Sequence, residues 1–332
     1  MVPAGRSARP GEFEAIARWF APLAEREPGA LGLTDDAAVL APAPGNAFVL
    51  TVDMLVAGVH FLPDDPPDLV ARKLLRVNLS DLAAMGAVPR AYFLAVALPR
   101  DVDAAWFDAF AAGLAADQRE FGVTLAGGDT TGTPGPLTLS LTALGELPVD
   151  TAVRRSGAHA GDEIYVSGTI GDAALALEAI AGRAAVPDAA ARDHLIGRYR
   201  LPTPRTTLGP ALRGLASAMI DVSDGLLADL GHICETSSVA AEVDFAAVPL
   251  SPAAAALLAA DPALAGIVVS GGDDYELLFT APPAARAAIA ALAARTGVPA
   301  TRIGAIAAGQ GVTLRDAAGR ALTPARAGWQ HF

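Results

Sequence analysis

Aspartates recur in this 332-residue chain in six short segments, each flanked by glycine, serine or threonine. They read Leu33-Thr34-Asp35-Asp36, Thr51-Val52-Asp53, Asn78-Leu79-Ser80-Asp81, Gly127-Gly128-Asp129, Asp221-Val222-Ser223-Asp224-Gly225 and Gly271-Gly272-Asp273-Asp274. A lone Asp-Gly pair is ordinarily a turn or a helix cap, and Asp162 and Asp172 are read that way. Repetition at the ends of strand-like stretches constrains the fold more tightly. Acids from distant segments meet where strands and helices are layered, because strand ends are where loops converge. Gathered carboxylates also repel one another and need a cation or several donors. Asp81 shows the problem most sharply, as an acid between Leu79 and Leu82 on a helix with an apolar face.

Apolar periodicity supplies the elements. Phe13, Ile16, Ala17 and Phe20 recur at i, i+3, i+4, i+7 and predict a first helix from about Glu12. Residues 48–53 read as a strand ending on an acid. Asp68 is placed to cap a helix through Met85, stopped by Gly86 with Pro89 beyond. Residues 91–98, 121–126 and 137–147 read as strands. Between the first two, Asp101 or Asp103 caps a helix carrying Trp106, Phe110 and Leu114 on one face. Residues 148–161 break the pattern, and the domain boundary is placed there, giving domains 11–148 and 149–332. The second half repeats the alternation: strand 163–167, a helix after Gly171-Asp172, strand 218–222 and helix 226–235. Strands near 239–245, 267–269 and 275–280, a helix 284–295 and a terminal hairpin follow. Two α+β domains result.

Composition excludes several classes of partner. The formal net charge is −12, so nucleic acid, which needs a basic face, is not expected. Hydrophobic residues make up 52%, yet the richest stretch, 253–269, is interrupted by Asp261 and Pro262. No run reaches the roughly 18 apolar residues of a membrane span. Residues 1–10 lack the apolar stretch of a secretory signal. The single cysteine, Cys234, fits a buried thiol in a reducing compartment, so a cytoplasmic location is expected. Lys73 is the only lysine and no Gly-x-x-x-x-Gly-Lys precedes it. A P-loop and the protein-kinase arrangement are thereby excluded, and any phosphoryl transfer must rely on metals and arginine. Mg²⁺ suits such a chain, being held by a few carboxylates together with substrate phosphates. The two Gly-Gly-Asp turns let backbone approach a phosphate closely, and Arg154 or Arg155 can pair with its oxygens. His60 and Trp329 are further candidates, as ligand contacts or as packing residues.

Several of these segments, taken together, resemble one known family. They are Leu55-Val56-Ala57-Gly58-Val59-His60-Phe61, Asn78-Leu79-Ser80-Asp81-Leu82-Ala83-Ala84-Met85-Gly86-Ala87, Gly127-Gly128-Asp129-Thr130-Thr131, Asp221-Val222-Ser223-Asp224-Gly225-Leu226 and Gly271-Gly272-Asp273-Asp274-Tyr275-Glu276-Leu277. The family is that of the thiamine-monophosphate kinases, within the aminoimidazole-ribotide-synthetase-like superfamily, and the resemblance runs from about Gly11 to Phe332. It implies that architecture, with the first domain lending strands to a barrel shared in a homodimer. It also implies transfer of the ATP γ-phosphoryl group to thiamine phosphate with several Mg²⁺ ions. Matching motif to motif, Asp35, Asp36, Thr51, Val52, Asp53, Asp81, Asp129, Asp221 and Asp224 fall on metal positions. Gly128, Asp129, Arg155 and Ser223 fall on nucleotide positions, and His60, Asp273 and Trp329 on substrate positions. This chain departs from the pattern at Thr34, where glycine is usual, at Val52, where threonine is common, and at Asp273, where glutamate is usual. At Val52 only the backbone carbonyl can meet a metal.

The attacking phosphate is already anionic, so the implied mechanism needs no general base; positioning and charge neutralisation carry it. Two other readings compete. A sister ATP-dependent enzyme would act on another small substrate, although a selenophosphate synthetase would carry a reactive Cys near its start and none is present. A non-catalytic maturation protein would show eroded acids, whereas every cluster here is intact.

Overall fold

The computed structural model describes residues 11–322 and Gly328. The chain divides into two compact units. One runs up to Leu82 and resumes over Val88–Val149; the other takes Ala83–Ala87 and the residues from Asp150 on.

In the first unit a four-stranded sheet has the order β1-β4-β2-β3, with β1 Asn46–Val56, β2 Val88–Leu98, β3 Thr124–Gly132 and β4 Thr138–Pro148. β4 pairs antiparallel with β1 and β2, while β2 and β3 are parallel. Their parallel pairing follows from the helix between them, Ala104–Phe121, which returns the chain to the same end of the sheet. Asp103 caps that helix, accepting from the Trp106 N–H at 3.0 Å, and Gly122 ends it at φ 68°. Its apolar face carries Phe107 and Phe110, and Trp19 stacks on Phe107 at 4.8 Å. β1 alternates as a one-sided strand must: Thr51, Asp53 and Leu55 are covered to varying degrees, while Leu50, Val52 and Met54 are exposed.

The first helical segment departs from the predicted face. Phe13 is 82% exposed and the buried residues are Ala15, Trp19, Phe20, Leu23 and Ala24. A π-turn over Ile16–Phe20, between the α-helical Glu12–Ala15 and Ala21–Ala24, shifts the angular position of everything after it.

The second unit is built on a seven-stranded sheet ordered β11-β10-β7-β9-β5-β8-β6. Its strands are β5 Glu163–Ser167, β6 Ala218–Asp221, β7 Ala240–Asp244, β8 Leu277–Ala281, β9 Ala300–Ala307, β10 Gly311–Arg315 and β11 Ala321–Leu322. β5 and β8 are buried at every residue, and Tyr165 stacks on Phe279 at 5.3 Å. Residues 267–269, expected as a strand, form part of a helix, Ala265–Ser270. Val268 there packs so closely on Gly171 that a Cβ at 171 would lie 2.8 Å away; the β-branched preference yields to that packing. Helices Ala189–Arg200 and Pro252–Ala260, unread in the sequence, start on side-chain caps from Asp188 and Ser251. Cys234 is buried, which pushes its thiol up to about 11. Among the described residues no helix is long and apolar enough to cross a membrane.

Candidate active site

In the first unit a cavity of about 530 Å³ is lined by Asp35, Asp36, Gly127, Gly128, Asp129 and Thr130, with Phe20, Phe93 and Leu94 supplying apolar wall. Local backbone explains the placement. Leu31, Gly32 and Leu33 all take positive φ (52°, 66° and 58°), two of them non-glycine residues in a sparsely populated region. This turn precedes the exposed pair Asp35–Asp36. On the opposite side β3 runs so close to β2 that a Cβ on Gly128 would lie 2.0 Å from the Leu94 carbonyl oxygen. Only glycine fits there. Asp129 follows, one carboxylate oxygen accepting from the Thr130 N–H at 2.9 Å.

A second group lies between β1 and the helix Pro67–Ala84. The Thr51 hydroxyl donates to Asp81 Oδ2 at 2.5 Å, and buried Asn78 accepts the Asp53 N–H at 3.1 Å. The half-buried Asp81 therefore has a donor. Val52 points its side chain away from this group, on the exposed face of β1. After β1 the chain turns tightly: the Val59 and His60 N–H groups both donate to the Val56 carbonyl, and the Val56 N–H donates to His60 Nδ1 at 3.1 Å.

In the second unit Asp221 is buried at the end of β6, and Ser223 and Asp224 follow in a loop. Asp229, in the first turn of the helix Leu226–Ser237, accepts through Oδ2 from the N–H groups of Ser223, Asp224 and Gly225, each at 3.1 Å. Burial and then the Asp224 charge push the Asp229 carboxyl up to about 7. Sequence reading missed Asp229. Its signal was an acid five residues after Asp224, in the first turn of a helix. Asp273 lies beside this loop, its N–H donating to the Ser223 carbonyl at 2.9 Å. Both Asp273 and Tyr275 have positive φ (73° and 51°). The Tyr275 N–H donates to the Val222 carbonyl at 2.8 Å, and the next residue, fully buried Glu276, accepts from Ser167 Oγ at 2.6 Å, Arg198 at 2.9 Å and Arg205 at 2.6 Å. Asp274 is buried as well and accepts from the Gly171 N–H at 2.8 Å; burial raises its carboxyl well above the usual range. Asp172, read from the sequence as a turn or cap residue, makes no cap bond to its helix, Asp172–Ile180; its buried carboxylate accepts from Thr169 Oγ1 at 2.7 Å and from Ser251 Oγ. Arg154 and Arg155 are exposed, Arg155 lending its carbonyl to Ser237. Trp329 lies outside the described residues.

The structure thus gathers the predicted acids into separate groups. Among the described residues no three His, Cys, Asp or Glu side chains converge closely enough to hold a metal by themselves. The donors present are hard oxygens, in ones and twos beside glycine-rich backbone. That set fits Mg²⁺, which keeps several positions for water and for phosphate oxygens.

A two-part chain of this kind, with acid-tipped strands in both halves, defines a class. Residues 34–147 match the model for the AIR synthase related protein N-terminal domain and residues 159–317 that for the C-terminal domain. A thiamine-monophosphate kinase of Caulobacter vibrioides is 48% identical over 328 residues, covering 98% of this chain and 92% of the relative. The crystal structure of thiamine-monophosphate kinase from Stenotrophomonas maltophilia superimposes with a TM-score of 0.81 at 46% identity, covering 90% of this chain and 93% of that one. A structure of AaThiL complexed with AMPPCP and TMP gives 0.75 at 29% identity, covering 92% and 98%. The chain belongs to the thiamine-monophosphate kinase family.

Proposed function

We infer that this chain phosphorylates thiamine phosphate with ATP, yielding thiamine diphosphate and ADP. One observation carries the reading: the cavity lined by Asp35, Asp36, Gly128 and Asp129 belongs to a chain 48% identical, over 98% of its length, to a thiamine-monophosphate kinase. The structural relative with AMPPCP and TMP supports the same pair of substrates.

In this reading an oxygen of thiamine phosphate attacks the γ-phosphorus in line, the bond from that phosphorus to the β–γ bridging oxygen breaks, and ADP leaves. The attacking oxygen carries no proton, so nothing has to remove one, and the residues serve to hold and neutralise. Asp35, Asp36, Asp53, Asp81, Asp129, Asp221 and Asp224, with the Thr51 hydroxyl and the Val52 carbonyl, are the groups that would hold Mg²⁺. Bound Mg²⁺ supplies neutralisation of the phosphate charge that develops in transfer. Gly128, Arg155 and Ser223 are assigned to ATP, where the bare backbone of Gly128 admits a phosphate close by. His60, Asp273 and Trp329 are assigned to thiamine phosphate, with Trp329 as an aromatic face for the thiazolium cation. In this reading the residues assigned to metal and nucleotide come from both domains.

A homodimer is part of the proposal. It is supported by Leu50, Val52 and Met54, 62%, 61% and 54% exposed on the edge strand β1, an apolar row that a second copy would cover. Work in a reducing cytosol is consistent with one buried thiol. The test is an assay of purified protein with MgATP and either thiamine phosphate or thiamine. Thiamine diphosphate and ADP from the first, with negligible product from the second, are expected. Efficient conversion of free thiamine with release of AMP would refute the assignment.

A further inference from the structure

The loop between β6 and the helix Leu226–Ser237 has its backbone tied through donors and acceptors alike. Asp229 Oδ2, on a side chain 2% exposed, accepts from three successive N–H groups, those of Ser223, Asp224 and Gly225, each at 3.1 Å. The carbonyls are engaged as well. That of Ser223 accepts the Asp273 N–H at 2.9 Å, and that of Val222 the Tyr275 N–H at 2.8 Å. Packing leaves little slack: a Cβ on Gly272 would lie 2.2 Å from the Ser223 carbonyl oxygen, and one on Gly225 would lie 2.7 Å from the Ser270 backbone. Successive N–H groups at the start of a helix ordinarily form a nest for a phosphate or another anion. Here the chain fills the nest itself. With the N–H and the carbonyl of Ser223 both engaged, what the loop still offers is side chain. The half-buried Ser223 hydroxyl and Asp224 carboxylate make no hydrogen bond or ion pair among the described residues.

We propose that Asp229 is a positioning residue for the nucleotide. It fills the nest at this helix start, so that no phosphate enters it, and fixes the loop from which the Ser223 hydroxyl, rather than the Ser223 N–H, meets ATP. The proposal rests on the reading of Ser223 as a nucleotide contact and deepens it. It also gives a buried acid outside the predicted metal positions a task of its own.

Calorimetric titration of the full-length protein with the ATP analogue AMPPCP and Mg²⁺, beside KM measured for each substrate, tests it. Ser223→Ala is expected to weaken AMPPCP binding about tenfold, as loss of a hydrogen bond to a charged ligand does, and to leave the KM for thiamine phosphate within about twofold. Asp229→Ala is expected to weaken AMPPCP by about tenfold or more, with the thiamine phosphate KM within about threefold. Ser223→Ala placed on top of it should add little. Asp229→Asn, which keeps an oxygen acceptor for the three N–H groups, should hold AMPPCP affinity within about threefold of the wild type. A silent Ser223→Ala refutes the hydroxyl contact and the proposal with it. A damaging Ser223→Ala beside a harmless or fully additive Asp229→Ala refutes the proposal alone, as do equal shifts for both substrates with no rescue by asparagine. Hydrogen exchange on the wild type is independent of how Asp229→Ala folds. Without ligand the amides of Ser223, Asp224 and Gly225 should already exchange slowly, and AMPPCP should slow them little further. Fast exchange that AMPPCP alone suppresses would show these N–H groups to be the phosphate site and overturn the proposal.

Discussion

At the residue scale, the charges of Asp53 and Asp81 can be tested apart from their hydrogen bonds. Asp81 is held by the Thr51 hydroxyl, and asparagine at 81 keeps an acceptor for it. Asp53→Asn and Asp81→Asn are each expected to lower kcat by on the order of 10²–10³-fold with the circular dichroism and Tm nearly unchanged. Near-normal turnover at saturating Mg²⁺ would refute their metal role. Glu163 makes a separate prediction about stability. Hydrogen bonds from Arg286 hold its carboxyl down at about 2, from an ordinary value of 4.5. A carboxylate depressed on folding stabilises in full above its unfolded value and loses that contribution as pH falls toward the folded one. The Tm gap between wild type and Glu163→Gln should thus be widest above about pH 4.5 and close between there and pH 2. A gap independent of pH would show that packing, not charge, sets it. The acids were legible from residue type and flanking glycine. The contact of Lys73 with the His60 carbonyl was not, because thirteen positions separate the two and nothing local links them.

At the element scale, the close approach of β2 and β3 makes two neighbouring glycines unequal. A Cβ on Gly128 would meet the Leu94 carbonyl oxygen at 2.0 Å, whereas one on Gly127 would meet the Phe93 ring at 3.0 Å. A backbone atom cannot give way without distorting the ladder, but a ring can shift. Gly128→Ala is therefore expected to cost about 3 kcal/mol or more and Gly127→Ala about 1 kcal/mol, read from denaturant melts. Equal costs would mean that the strands adjust freely. Element types were largely readable, since both β1 and the Ala104–Phe121 helix follow their periods and caps. The Ile267-Val268-Val269 run was misread because its packing partner, Gly171, is remote in sequence. The face of the first helix was misread because a π-turn is invisible to a 3.6-residue count.

At the scale of the whole molecule, the apolar row on β1 and the dispersed acids each carry a prediction. If a second copy covers Leu50 and Met54, then Leu50→Asp with Met54→Asp should give a monomer by light scattering from a dimeric wild type. A wild type that is monomeric at micromolar concentration would refute the dimer. Because unfilled carboxylates repel, Mg²⁺ should raise the wild-type Tm and EDTA should reverse the shift, an increment that Asp129→Asn reduces. No shift with MgATP would refute the metal reading.

The sequence by itself determined the kind of chemistry and the kind of layers. Acids repeated beside glycine at strand ends need hard cations or donors, and alternating apolar periods specify strands and helices, because both are properties of residue type and spacing. Tertiary structure alone decided how those parts are held. It set the donor to Asp81, the clasp of Asp229 on three backbone N–H groups, the two arginines on buried Glu276, and the bond from the Val56 N–H to His60 Nδ1. Each of these depends on groups brought within about 3 Å by packing, and a hydrogen bond at that range is governed by distance and direction, which residue order does not encode.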